Sequence, residues 1–184
     1  MKLNLGCGRT NISGFINVDI NKDPHVHIST DVTNLNMFTD ECVDLIYASA
    51  LFQYFDFQQG VQALTEWYRI LKTGGVLRIS TVDFDKLLEV YNKYDKNIDK
   101  IIGPIYGRIY VNNDDLATDK VYHTSVYTQT KLLGVLKEVG FQTIKPYDWK
   151  NSIHAEYDDQ SQSYYPHMDK ENGIHIMQNW EATK

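Results

Sequence analysis

Residues 3–8 (LNLGCG) and 17–20 (NVDI) decide the fold of this 184-residue chain. One apolar run breaks at a Gly-Cys-Gly loop, and a second apolar run ends on Asp19. In an α/β sheet, ligands lie outside the carboxyl ends of the strands, where such a loop is found. Two glycines two residues apart let the backbone approach a bound molecule, and an acid on the neighbouring strand can accept hydrogen bonds from a diol such as a ribose. Taken alone, the stretch fits an ordinary strand-loop-strand equally well.

The composition is that of an ordinary globular chain, with 42% hydrophobic and 23% charged residues. This length predicts a single domain over residues 1–184, which can bury a sizeable core without the help of disulfides or metal ions. A net charge of -6 argues against the broad basic surface of a nucleic-acid binder. Cys7 and Cys42 lack C-x-x-C partners, so we expect reduced thiols rather than a disulfide or a zinc site.

The chain carries neither a membrane signal nor a metal-site signal. No apolar run reaches the roughly 18 residues of a membrane span, and the N-terminus leads straight into a strand rather than a signal peptide. We therefore expect a cytoplasmic protein. His154, His167 and His175 have no carboxylates at metal-ligand spacing, so no metal site is expected.

Strands and helices alternate along most of the chain. Apolar runs predict strands at residues 1–5, 15–20, 25–29, 43–50, 76–82, 141–147 and 173–183, and helical spacing predicts helices at 58–72, 84–94 and 128–139. Alternation of this kind predicts a parallel sheet covered on both faces, with a closing antiparallel strand. The predicted fold is a Rossmann-like, three-layer α/β sandwich with a mostly parallel sheet and an antiparallel C-terminal strand.

Two further segments are expected to serve the substrate. Residues 98–111 have a helix-like apolar pattern interrupted at Gly103-Pro104, and a polar loop follows at 112–120. Residues 150–172 form a long polar segment that carries several tyrosines, and loops of this length in compact domains are usually functional or partly disordered. We predict that 112–123 and 150–172 act as lid or substrate loops.

Taken together, five segments resemble the class I S-adenosylmethionine-dependent methyltransferases of the small type 11-like group. They are residues 3–8 (LNLGCG), 17–20 (NVDI), 31–32 with 42–47 (DV and CVDLIY), 71–80 (LKTGGVLRIS) and 137–141 (KEVGF). The resemblance implies methyl transfer, with S-adenosylmethionine as cofactor and S-adenosylhomocysteine as product.

The resemblance also implies the cofactor site. Asp19 would accept both ribose hydroxyls, Asp31 would accept from the adenine amino group, and the glycine loop would pass the methionine and ribose portions. A solvated acid at Asp19 and a helix N-cap at Asp31 are the alternatives. The implied cofactor-binding residues are Leu5, Gly6, Cys7, Gly8, Asp19, Ile20, Asp31, Val32, Ala48 and Ser49.

The catalytic candidates are His123, Tyr54 and Asp83. Methyl transfer is an in-line displacement, so alignment of the reactants supplies much of the rate. A general base is needed only when the acceptor loses a proton in or near the transition state. His123 lies near a point where relatives often show a histidine facing the substrate. Tyr54 and Asp83 follow strands at the substrate edge, where each also fits a role as pocket wall or helix cap.

The chain departs from the pattern of the family at three places. Asn4 stands where such families usually carry an acid, and residues 52–54 (FQY) replace a Leu-Glu-His signature. Only 13 positions separate Gly6 from Asp19, so the usual first helix must be nearly absent. These departures leave open a non-catalytic, cofactor-binding or scaffolding relative.

Two enzyme classes compete with this interpretation. A nicotinamide-dependent dehydrogenase needs a third glycine where Asn11 stands, opening a long helix. A nucleic-acid methylase is disfavoured by the acidity and by the absence of an Asn/Asp-Pro-Pro-Tyr motif. We therefore predict a methyltransferase for a small-molecule or carbohydrate-type acceptor, without nucleic-acid or membrane partners, and homodimerisation stays open.

Overall fold

The computed structural model describes residues 1–107, 109–112 and 118–184. Its strands are β1 (Lys2–Leu5), β2 (Ile16–Asp19), β3 (Ile28–Ser29), β4 (Val43–Ser49), β5 (Leu71–Val82), β6 (Ile109–Asn112), β7 (Thr118–Val121), β8 (Gln142–Pro146), β9 (Tyr164–Tyr165), β10 (Ile174–His175) and β11 (Met177–Thr183). Its α-helices are α1 (Phe57–Ile70), α2 (Phe84–Lys93), α3 (Ile102–Tyr106) and α4 (Gln129–Val139).

In the described part of the chain, seven strands form the main sheet in the order β3-β2-β1-β4-β5-β11-β8. Strands β1 to β5 pair in parallel, whereas β11 runs antiparallel to both β5 and β8. The mostly parallel Rossmann-like sheet with its antiparallel C-terminal strand is therefore confirmed. Chain order reverses between β1 and β4, and crevices at such reversals are where ligands bind.

One face of the sheet is covered by α1 and α4, which form the main core with it. Asp56 begins α1 with a capping box, in which its side chain accepts from the Gln59 N–H and the Gln59 side chain accepts from the Asp56 N–H. The buried stripe of α1 includes Ala63, Leu64 and Trp67. Because these residues recur at helical spacing, the apolar pattern predicted this helix to within two residues at each end.

The opposite face of the sheet carries a polar row. Its members are neighbours in strand register and run across six strands: Asn17, Asn4, Tyr47, Arg78, Glu181 and Lys145. Glu181 accepts from the Arg78 Nε at 3.0 Å and lies 3.2 Å from the Lys145 Nζ. Buried polar groups need hydrogen-bond partners, so the apolar stripe of a helix could not cover this row.

Irregular segments cover the polar row instead of a helix. Ile12 and Phe15, from the short connection between β1 and β2, form a small core with Tyr47, against which Tyr147 and Tyr157 also pack. Residues 6–15 contain no helix, as the short spacing between Gly6 and Asp19 predicted. The third layer of the sandwich at this point is thus built from loops.

Residues 150–172 are packed against the sheet rather than open. They contain the 3-10 turn at Gln160–Gln162, and β9 pairs antiparallel with β10. Asp159, Ser161 and Gln162 are buried. Asp159 and Ser161 bond to Tyr47 and Ser49 of the sheet, whereas the Gln162 side chain bonds within the segment. Residues of this segment also line the candidate active site.

The helix-like pattern at residues 98–111 gave a wrong prediction for its second half. Helix α3 spans only five residues and ends at Gly107, which has a left-handed φ of +48°. The chain then pairs β6 with β7 as an antiparallel hairpin. Residues 113–117, in the predicted lid at 112–123, lie outside the described residues. Across the described ranges, no helix is long and apolar enough to cross a membrane.

His154 is a buried titratable group whose pKa changes strongly between the folded and the unfolded chain. Its ring is wholly buried and stacks on Tyr47, with ring centroids 3.6 Å apart. Burial and the neighbouring Arg78 lower the pKa of this imidazole to about 3. In the unfolded chain the ring regains a pKa near 6.5 and takes up a proton below it, so stability falls as pH drops from 6.5 towards 3.

We predict that His154 alone removes about 2 kcal/mol from the free energy of unfolding between about pH 7 and about pH 5. Urea unfolding at the two pH values measures this loss. The matched variant His154→Phe keeps a stacked ring without a titratable nitrogen, so it should lose correspondingly less. An equal loss in the variant and the parent would contradict the assignment.

Candidate active site

A cleft of about 1330 Å³ opens at the carboxyl ends of the parallel strands. Its first half is formed by the glycine loop after β1, the residues after β2 and β3, and the turn after β4. Its second half is formed by α3, His123 and residues 158–167. The loops that follow the strands therefore meet where an α/β sheet binds its ligands.

The glycine loop is held tightly against β2. Gly6 and Gly8 have left-handed φ values of +62° and +52°. The Gly6 N–H donates to the Val18 carbonyl at 2.8 Å, and the Gly8 carbonyl accepts from His25 Nε2 at 2.8 Å. A Cβ at Gly6 would lie 2.7 Å from Leu51, whereas one at Gly8 would meet nothing within 4 Å. Gly8 thus leaves open space in the cleft for a ligand.

Buried side-chain amides anchor this loop from below. Asn4 Nδ2 donates to the Thr10 carbonyl at 3.1 Å and to Asn17 Oδ1 at 3.0 Å. Asn17 Nδ2 in turn donates to Asn11 Oδ1 at 2.7 Å. The amide at position 4, which departs from the family pattern, therefore links the loop to two strands. Asn11 is held in this network and opens no helix, so the dinucleotide fingerprint of a dehydrogenase is not formed here.

Asp19 lies at the end of β2 and faces the cleft. Its Oδ2 accepts from the Gly8 N–H at 2.8 Å and its Oδ1 accepts from the Asn21 N–H at 2.9 Å. A carboxylate has about four lone-pair sites, so each oxygen keeps one for a ligand hydroxyl. The paired N–H donors fix the orientation of Asp19 before any ligand binds.

The predicted adenine end of the cleft lies beyond Asp19. Asp31 is exposed and accepts from the Thr33 N–H and hydroxyl, both at 2.8 Å. This is the local turn that the capping alternative anticipated, although no α-helix follows it. Ile20 and Val32 also line the cleft, and Ile20 presents 53% of its surface. An acceptor oxygen beside exposed aliphatic surface suits a flat, partly polar ring.

Eight of the ten predicted cofactor residues line the cleft. The exceptions, Leu5 and Ala48, are wholly buried in the core. Cys7 lines the cleft, but burial, together with the negative charge of Asp19, raises the pKa of its thiol to about 12. The thiol therefore stays protonated at neutral pH and is a poor nucleophile.

The structure places two of the three catalytic candidates in the cleft and the third outside it. His123 and Tyr54 line the cleft, with their rings edge to face and the centroids 4.6 Å apart. Asp83 does not line it, and its carboxylate instead accepts from the N–H groups of Asp85 and Lys86 at the start of α2. Asp83 is a helix cap, which is the alternative that the sequence left open for it, and we do not propose it as a catalytic residue. Burial raises the pKa of Tyr54 to about 12, so its phenol stays protonated.

Residues 158–167 lie in the segment 150–172 that we predicted as a lid or substrate loop, but the sequence did not single out which of them line the cleft. Asp159, Tyr164 and Tyr165 line it, whereas the run of residues 158–161 (DDQS) by itself indicates only a structural turn. Asp159 accepts from the Tyr47 hydroxyl at 2.5 Å and from the Ser161 N–H at 2.8 Å. The only signal in the sequence was the length and polarity of the segment, which does not specify where it packs.

The cleft suits the predicted cofactor on several counts. Gly8 leaves room beside the loop, Asp19 has oriented acceptor sites for a diol, and Ile20 offers apolar surface near Asp31. These are the features that a nucleoside requires. In the described portions of the chain, no group of three or more His, Cys, Asp or Glu residues is arranged to hold a metal ion.

The fold and the cleft fit an α/β protein that binds a nucleoside, and comparison with known proteins narrows the class of protein. Residues 3–79 match the family model of the type 11 methyltransferase domain. The resemblance to class I S-adenosylmethionine-dependent methyltransferases is thereby confirmed. S-adenosylmethionine, the predicted cofactor, is the cofactor of this class.

Individual relatives match over shorter stretches or at lower identity. Malonyl-[acyl-carrier protein] O-methyltransferase 1 of Coxiella burnetii is 42% identical over 57 residues, which are 31% of this chain and 20% of that protein. The match thus spans about a fifth of the length of this curated relative.

Solved structures confirm the fold over the whole chain. A SAM-dependent methyltransferase from Archaeoglobus fulgidus has a TM-score of 0.61 at 17% identity, covering 100% of this chain and 85% of that one. The 1,6-didemethyltoxoflavin-N1-methyltransferase of Burkholderia thailandensis, with bound S-adenosylhomocysteine, has a TM-score of 0.56 at 14% identity. It covers 100% of this chain and 70% of that one.

The glycine loop gives a matched pair of variants. Gly8 and Gly14 both have left-handed φ values, and a Cβ added at either would meet only open space, but only Gly8 lines the cleft. We predict that Gly8→Ala and Gly14→Ala each cost about 1–2 kcal/mol of stability, whereas only Gly8→Ala weakens binding of S-adenosylhomocysteine in calorimetry. Equal affinities of the two variants for S-adenosylhomocysteine would contradict the assignment of this loop to the cofactor site.

Proposed function

We propose that this chain is an S-adenosylmethionine-dependent methyltransferase that acts on a small polar acceptor, of the small-molecule or carbohydrate type. The observation that carries the proposal is the continuity of the cleft. The nucleoside half around Asp19 opens directly into a second half that contains His123, a base with a defined tautomer.

His123 is held ready to accept a proton. Its Nδ1–H donates to the Pro104 carbonyl at 3.0 Å and is 3.2 Å from the Ile105 carbonyl. This arrangement leaves Nε2 as the acceptor nitrogen. Burial lowers the pKa of the imidazole below its usual 6.5, against the opposing effect of the two carbonyls. The ring is therefore neutral at physiological pH, as a general base must be.

When bound, S-adenosylmethionine supplies an electrophilic methyl carbon, to which the acceptor lone pair bonds while the carbon–sulfur bond breaks and its electron pair stays on sulfur. The chain contributes alignment of the acceptor and removal of its proton. His123 Nε2 takes that proton when the acceptor is a hydroxyl or a protonated amine. Tyr54 keeps its own proton, so it packs against His123 and can donate to an acceptor oxygen.

The lining of the second half supports a small polar acceptor. Tyr164 and Tyr165 provide aromatic walls, and Lys100 and His167 provide charge or hydrogen bonds. Aromatic walls with a few polar groups are typical of small-molecule sites. The acceptors of the named relatives support the same class of acceptor. One relative acts on a malonyl group on a carrier protein and another on 1,6-didemethyltoxoflavin.

Calorimetric titration tests the cofactor part of this proposal. We predict heat of binding with S-adenosylmethionine and none with NAD, and a loss of affinity of about tenfold or more in Asp19→Asn, because charge-assisted hydrogen bonds to a diol are removed. Unchanged affinity in Asp19→Asn would refute the site. Cofactor binding without S-adenosylhomocysteine production across a panel of hydroxyl and amine acceptors would favour the non-catalytic alternative.

The pH profile tests the role of His123. Because only the neutral imidazole accepts a proton, kcat/KM should rise with pH through a pKa below 6.5 and then level off. We predict that His123→Gln lowers kcat/KM by about 10²- to 10⁴-fold and removes this step. The control His175→Gln changes a histidine whose pKa is also lowered by burial but which lies outside the cleft. If the step persists in His123→Gln, another group is the base.

A further inference from the structure

The carboxylate of Asp159 occupies an unusual position in the cleft. Residues 158–163 bring it over the end of β4, where it lines the cleft with only 8% of the residue exposed. Three donors fix it: Tyr47 Oη donates to Oδ2 at 2.5 Å, and Ser161 N–H and Ser49 Oγ donate to Oδ1 at 2.8 and 3.2 Å. The 3-10 turn that Asp159 caps follows directly.

The partners of this carboxylate are all neutral. In the parts of the chain that the structure describes, no Lys, Arg or His nitrogen makes an ion pair with Asp159, whereas the adjacent Asp158 is exposed and pairs with Lys170 at 3.3 Å. A buried charge is costly unless an opposite charge compensates it. Asp159 faces the cleft, so a cationic group of a bound ligand can supply such a charge.

The geometry of the sheet determines which part of the cofactor reaches Asp159. Asp31 follows β3, Asp19 ends β2, the glycine loop follows β1 and Ser49 ends β4, so these groups stand in strand order along one edge. Neighbouring strands are about 4.8 Å apart. A cofactor with adenine at Asp31 and ribose at Asp19 therefore extends across β1 towards β4, and its amino-acid end arrives beside Ser49 and Asp159.

The strands themselves offer no carboxylate at that point. The register neighbours of Tyr47 on this face are Asn4 and Arg78. Asn4 is a neutral amide, already occupied by the Thr10 carbonyl and Asn17. Arg78 is a cation, paired with Glu181. The negative charge for a cationic ligand group must come from a segment outside the strands.

We infer that Asp159 binds the α-ammonium group of the amino-acid end of the cofactor. This inference rests on the proposed function, because it presumes that S-adenosylmethionine occupies the cleft. Asp159 would then have two tasks in one carboxylate. It holds residues 158–163 on Tyr47 through Oδ2, and it pairs with the ligand cation through the remaining lone pair of the same oxygen.

Binding measurements that vary only the ammonium group test the inference. The probes are S-adenosylhomocysteine and its deaminated analogue, in which hydrogen replaces the ammonium. We predict that the parent protein binds S-adenosylhomocysteine about tenfold more tightly than the analogue. In Asp159→Asn the two affinities should converge, because the amide has no charge to pair. Isothermal titration calorimetry provides both affinities without any turnover.

Tyr47→Phe is the matched control. It removes the hydroxyl that holds Asp159 but keeps the carboxylate, so the ratio between the two probes should persist even if both affinities fall. A purely structural role for Asp159 would lower both affinities equally in Asp159→Asn and leave the ratio unchanged, which would overturn the inference. Should Asp159→Asn not fold, a ratio near one in the parent protein would overturn it as well.

The same data separate this inference from the proposed function. If neither probe binds the parent protein, the methyltransferase proposal fails. If both bind with equal affinity, the cofactor site stands and only the role of Asp159 fails.

Discussion

The polar row on one face of the sheet is the constraint on which the arrangement of this molecule depends. Asn4, Tyr47 and Arg78 lie side by side where a parallel sheet usually presents apolar residues to a helix. Their donors and acceptors must be satisfied when buried. Residues 147–163 cover the row, and Asp159 and Ser161 accept from the Tyr47 hydroxyl.

This covering segment also completes the cleft. Tyr47 holds Asp159 through its hydroxyl, and Asn179 Nδ2 donates to the Ser161 carbonyl at 3.1 Å, so the segment is fixed at both the β4 and β11 strands. As a result, a wall of the cleft comes from sequence about 110 residues away from the strand that it lies on. The packing that covers this face of the sheet therefore also forms the cleft.

Sequence patterns predicted well the elements that bury one apolar face. Helix α1 and the strands around residues 3–8 and 17–20 are examples, because their spacing reports directly which face is buried. Residues 98–111 failed because an apolar run supports a helix or a hairpin equally well. The place of Asp159 in the cleft was not predicted. A polar segment is expected to face solvent unless its polar partners on the sheet are known. Eight of the ten predicted cofactor residues line the cleft because the loops after the strands carry them.

A crystal structure of the complex with S-adenosylhomocysteine tests the central claim most directly, namely that the cleft at the carboxyl edge of the sheet holds this cofactor along the strand order from β3 to β4. The account predicts both ribose hydroxyls within about 3 Å of the Asp19 oxygens, the adenine beside Ile20 and Asp31, and the amino-acid end at Ser49. Density for the ligand in another orientation, or with Asp19 contacting only Gly8 and Asn21 as in the free chain, would contradict it.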